Sequence, residues 1–119
     1  MEYASFVKKA IAQDGRNRFT KCDAPLPFVP EAMLPFYKEY DPVDVEMEIN
    51  GGIVRLIPTA ELEAVKLEYP QLNGSFIFAT SNGDPIFLHE GVVYVIPHGV
   101  PKTEWEKLAD SLEEYLNLH

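Results

Sequence analysis

The stretch from Val45 to Leu56 constrains this chain more than any other. Val45, Met47 and Ile49 alternate with Asp44, Glu46 and Glu48, and Val54 and Leu56 resume the alternation after Asn50-Gly51-Gly52. A period of two belongs to a strand with one buried and one wet face. Asn-Gly between two such runs is the strongest short hairpin signal. If Asn50-Gly51 forms the loop, Met47 faces Val54; if Gly51-Gly52 forms it, Met47 faces Leu56. Both registers put Val45, Met47, Val54 and Leu56 on one face, so the inner face is better determined than the register.

Helical and extended signals surround this hairpin. Tyr3, Phe6, Val7, Ala10 and Ile11 make a helical stripe over 2–14, with Gly15 as a stop. Residues 16–29 read as irregular, because Pro25 and Pro27 break any long element. Their basic cluster of Arg16, Arg18 and Lys21 reads as a solvated loop. Pro30 can open a short helix carrying Met33, Leu34, Phe36, Tyr37 and Tyr40, interrupted by Pro35 and ended by Asp41-Pro42. Pro58 closes the second hairpin strand, and Thr59 is placed to cap a helix over 60–68 whose inner face is Leu62, Val65 and Tyr69. Further strands are expected at 76–80, 86–88 and 92–96, joined by turns at 81–85 and at Glu90-Gly91. Their apolar runs are nearly continuous, which predicts central strands covered on both faces. A last helix is predicted over 104–117, with Thr103 and Glu106 in capping-box spacing. Its stripe is Trp105, Leu108, Ala109, Leu112, Tyr115 and Leu116. The expected fold is therefore α+β, one domain over residues 1–119, with about five mainly antiparallel strands flanked by helices.

Charge narrows the function. The 119 residues include 19 acidic and 10 basic ones, a formal net charge of -9. Such a chain repels phosphate backbones, which argues against nucleic acid as a partner. It attracts basic proteins, and complementary charge speeds such encounters. Cys22 is the single cysteine, so no internal disulfide forms and a reducing compartment is expected. The N-terminal stretch lacks the continuous apolar run of a signal peptide, and no apolar run is long enough to span a bilayer. A cytoplasmic protein without membrane contact is the expectation.

Residues suited to chemistry are few. Asp84, His89 and His98 are the candidates for acid–base work or zinc, but their spacing fits no metal motif. The serines lack a nucleophile-elbow context, Cys22 has no evident His partner, and Asn50-Gly51-Gly52 lacks the lysine of a phosphate loop. No catalytic residue, metal site or cofactor is expected. The acidic row Asp44, Glu46 and Glu48 is the candidate partner-binding feature. Strand alternation sets its members about 7 Å apart on one face, a spacing that can meet a row of Lys or Arg. The simpler reading is a solvated face that discourages edge pairing.

Residues 28–118 also carry a family likeness. Phe78-Ala79-Thr80-Ser81-Asn82-Gly83-Asp84-Pro85-Ile86-Phe87, then Val92-Val93-Tyr94 and Pro97-His98-Gly99, resemble the strand–turn–strand centred on Gly-Asp-Pro in the SUKH superfamily. Leu108 to Leu116 resembles that family's closing helix, with Leu112 and Tyr115 in place of phenylalanines. Pro30 to Tyr37 is similar to its opening segment. The positions that hold the fold in this likeness include Gly83, Asp84, Pro85, Trp105 and Ser111. The resemblance implies a non-enzymatic binding module. Family members include bacterial immunity proteins, which neutralise toxins that are often basic nucleases, and regulators of cell-wall assembly.

Overall fold

The computed structural model describes residues 3–22, 28–31, 33–49, 51–69, 72, 74–97, 99 and 104–117. The chain is α+β. Helix α1 (Ala4–Gln13) precedes β1 (Arg18–Thr20), α2 (Leu34–Tyr40) and β2 (Asp41–Val43). The hairpin β3 (Val45–Ile49) and β4 (Gly52–Leu56) follows, then a 3-10 turn (Thr59–Glu61) that runs into α3 (Leu62–Glu68). The second half holds β5 (Phe76–Ser81), β6 (Asp84–His89), β7 (Val92–Val95), β8 (Glu106–Ala109) and α4 (Leu112–Leu116). Strands β3 to β8 form one six-stranded antiparallel meander in chain order, one strand more than the sequence suggests, while β1 and β2 make a separate pair. Among the described residues no helix is long and apolar enough to cross a membrane.

The first hairpin pairs Met47 with Val54 and Ile49 with Gly52, which selects the register with residues 50 and 51 as the loop. Val45, Met47, Val54 and Leu56 are all buried, as the alternation requires. The next two turns use the same device. Asn82-Gly83 and Glu90-Gly91 both have positive φ (52° and 84°, 52° and 82°), the handedness that matches strand twist in two-residue hairpins. Cross-strand pairs carry the apolar face onward: Leu56 faces Ala79, Ala79 faces Ile86, Ile86 faces Val95, and Leu88 faces Val93. Helix α1 packs on β3 and α4 on β7 and β8. Their buried residues are Phe6, Val7 and Ala10 on α1, and Leu112, Tyr115 and Leu116 on α4. Each large apolar side chain so buried contributes about 1.5–3 kcal/mol. Strands β5 and β6 are buried on both faces over Phe76–Ala79 and Pro85–Leu88, as their unbroken apolar runs predict.

Four local expectations are corrected. Residues 18–20 are not irregular: Phe19 pairs with Pro42 in a short ribbon where a missing proline N–H costs little. Pro35 does not interrupt its helix but lies in the first turn of α2, where no intrahelical partner is lost. Thr59 caps nothing with its own side chain. Instead its N–H and hydroxyl both donate to the buried Asp41 carboxylate (3.0 and 2.5 Å), which caps the turn from 18 residues away.

The fourth correction is the largest. The span 104–117 is not one helix but the strand β8 followed by α4. Ser111, not Thr103, starts the helix, and its hydroxyl accepts the Glu114 N–H at 3.1 Å; Thr103 lies outside the described residues. The sheet divides the predicted stripe between its two faces. Trp105 lies against Phe87, His89 and Tyr94, with ring centroids 5.0, 5.0 and 5.3 Å apart. Ala109 pairs with the inward-facing Val93, and Tyr115 packs edge-on against Phe78. A continuous helix would hold Trp105 and Tyr115 on one side.

Candidate functional site

A sheet of six strands has two edges, and these carry the acidic residues of interest. Along β3, Glu46 and Glu48 are exposed and alternate with buried Val45, Met47 and Ile49. Asp44 is exposed too, but it precedes the strand at a bend with φ 57°, so the regular spacing does not reach it. Cations interleave this acidic row. Glu46 faces Arg55 across the hairpin, and Arg55 holds Glu61 in a two-pronged pair at 2.9 and 3.1 Å. The Glu61 hydrogen bond, with smaller contributions from Asp44 and Glu46, raises the Arg55 pKa further. Arg16 pairs with Asp14 at 2.9 Å and holds that carboxyl below its ordinary range. The charges of Asp44 and Glu46 also act on Arg16.

The backbone of β3 is closed by side-chain amides. Asn17 Oδ1 accepts the Glu46 N–H at 3.1 Å, and its Nδ2 donates to the carbonyls of Glu46 and Ala10, both at 2.8 Å. Gln13 does the same two residues along: its Oε1 accepts the Glu48 N–H at 2.7 Å and its Nε2 donates to the Glu48 carbonyl at 3.2 Å. A primary amide offers one acceptor and two donors, so each side chain stands in for a neighbouring strand residue. Sequence reasoning missed both. Asn17 is only 4% exposed, and a buried asparagine needs such partners, but its partner lies 29 residues away.

The β8 edge differs. Glu104, Trp105, Glu106 and Lys107 are all exposed, with Trp105 at 37%. Lys107 is ion-paired with Asp110, whose hydrogen bond raises the ammonium pKa. Glu113 and Glu114 are exposed on the following helix.

The other candidate residues do not converge. Asp84 is the first residue of β6 and pairs with Ser81, Pro85 is buried opposite Thr80, and Gly83 supplies the positive φ of the turn. Ser111 caps α4 and Trp105 covers Phe87, so the residues of the family likeness have structural work here. His89 Nδ1 lies 3.0 Å from Ser75 Oγ. His98 and His119 lie outside the described residues. Among the described residues no group of three or more His, Cys, Asp or Glu is placed to hold a metal ion. A cavity of about 400 Å³ opens between α3 and the β5 and β6 strands, with walls of Phe28, Leu62, Tyr69, Leu72, Phe76 and Leu88. Lys66 sits 4.6 Å over the Phe28 ring at its rim. Comparison with protein-family models, with curated proteins and with solved structures finds no match.

Proposed function

We propose that this chain is a non-enzymatic protein-binding module of immunity type, which binds and neutralises a basic bacterial toxin, such as a nuclease, in the cytoplasm. One observation carries the reading: an excess of nine negative charges, with acids exposed at both outer strands of the sheet. Such a surface steers a cationic partner toward it and holds it by charge complementarity. The mechanism is occlusion, with no turnover, no cofactor and no metal. The resemblance to the SUKH superfamily implies the same role. It also implies a second one, a regulatory scaffold for a protein of cell-wall assembly or signalling.

The test is capture followed by neutralisation. The protein is used as bait in lysate of its source cells at low salt, retained proteins are identified, and each is expressed alone and with this chain. A basic toxin domain, released by high salt and harmless only when co-expressed, is the expected result. Recovery of wall-synthesis or signalling proteins that this chain does not inhibit would move the reading to the scaffold.

A further inference from the structure

We propose that the outer edge of β8 is the docking site, and that it accepts an extended basic segment of the partner as a seventh strand. The proposal rests on the protein-binding reading above and names where and how the partner is held. Alternate residues of an outer strand turn their N–H and C=O groups away from the ladder. At β3 those groups are occupied by Asn17 and Gln13. At Glu106–Ala109, among the described residues, hydrogen bonds run to β7 on one side, with no side-chain clamp on the other. Strand addition uses such an edge: main-chain bonds supply affinity and side chains supply selection.

Charge says which strand fits. Between residues 104 and 114 there are five acids (Glu104, Glu106, Asp110, Glu113 and Glu114) and one base, Lys107, a local balance of 1 − 5 = −4. Lys107 is moreover spent on Asp110. At β3 the acids stand near Arg16 and Arg55, which are themselves paired with Asp14 and Glu61, so it is the occupied backbone that sets that edge apart. Like charges placed opposite one another across strands destabilise a pair, so a second copy of this acidic edge is repelled while a Lys- or Arg-rich strand is attracted. Trp105 adds an anchor. It is partly exposed beside the edge and braced by Phe87, His89 and Tyr94, so it offers a large apolar surface with little left to order.

The experiment titrates isotopically labelled protein with a nine-residue synthetic peptide of alternating lysine and valine, followed by amide NMR shifts. The same peptide with every backbone nitrogen methylated serves as the control. Shifts centred on 104–109 and β7, and binding roughly tenfold weaker for the methylated peptide, are expected, since strand addition depends on main-chain donors. The exposed double variant Glu104→Lys with Glu106→Lys should weaken the unmodified peptide by about tenfold at low salt. Shifts centred on Glu46 and Glu48, or equal binding of the methylated peptide, would overturn the proposal. So would a dimer in sedimentation equilibrium whose contacts map to β8. A toxin captured by the bait and held equally well by the double variant also overturns the edge site, while the immunity reading stands. Peptide docking at β8 with no toxin captured leaves the edge site standing and sinks that reading.

Discussion

At one end of the sheet β3 runs beneath two neutral amides; at the other β8 ends among carboxylates. Both ends meet the same hazard, because an open row of backbone groups invites pairing with any passing strand. Gln13 and Asn17 remove the hazard at β3 by occupying the groups themselves. Glu104 and Glu106 at β8 leave the groups where they are and surround them with charge. The first solution is closed to strand addition. The second discriminates by sign, since it repels acidic strands and its own copies but not basic ones.

The largest way to break this contrast is Asn17→Leu. The leucine fills the space but leaves the Glu46 N–H and carbonyl without their amide partner and takes one of two donors from the Ala10 carbonyl, which should cost about 2–4 kcal/mol in chemical denaturation. An unchanged midpoint would mean that the amide does not hold the β3 edge.

A smaller, pH-dependent effect probes the core between the two ends, where Tyr37 and Tyr115 both reach β5. Burial raises the pKa of both Tyr37 and Tyr115, and the Tyr37 hydroxyl donates to the Ile57 carbonyl at 3.3 Å. A raised folded pKa means that the folded state keeps a proton which the unfolded chain releases near the ordinary tyrosine value. The associated stability is complete below about pH 10 and is lost above it, by up to roughly 1.4 kcal/mol per pH unit for each such group. Alkaline denaturation curves should therefore fall beyond that point. Tyr37→Phe and Tyr115→Phe should each flatten the fall by a similar amount, and an unchanged slope in either variant would show that its core does not hold the proton.

Ser111→Ala sharpens the comparison with the least effect. It removes the cap that starts α4 directly behind β8, at a cost of about 1 kcal/mol. Hydrogen exchange should rise in 106–116 and stay unchanged in β3. Uniform acceleration across the sheet would contradict the separate support of the two ends.

Legibility in the sequence followed the range of the interactions. The first hairpin was readable because alternation and turn chemistry lie within a dozen residues, and the turns at Asn82-Gly83 and Glu90-Gly91 were readable for the same reason. The C-terminal span was misread although its helical stripe is real on paper. Two capping signals compete there, Thr103 with Glu106 and Ser111 with Glu114, and local chemistry does not choose between them. The choice falls to the open edge of β7 and to the aromatic surface of Phe87 and Tyr94, which draws Trp105 away from the stripe. The acidic residues were equally visible in sequence. That Arg16 comes to lie near Asp44 and Glu46 was not, because those residues are far apart along the chain.

By itself the sequence determined the fold class, the inner face of the first hairpin and the excess of negative charge, because each follows from residue type and spacing along the chain. Tertiary structure alone decided that Asp41 caps the turn at Thr59, that Gln13 and Asn17 seal β3, and that residues 106–109 are a strand. Each of these depends on a hydrogen-bonding group brought close by packing from elsewhere in the chain, and a polar side chain carries no mark of which distant backbone will come to need it.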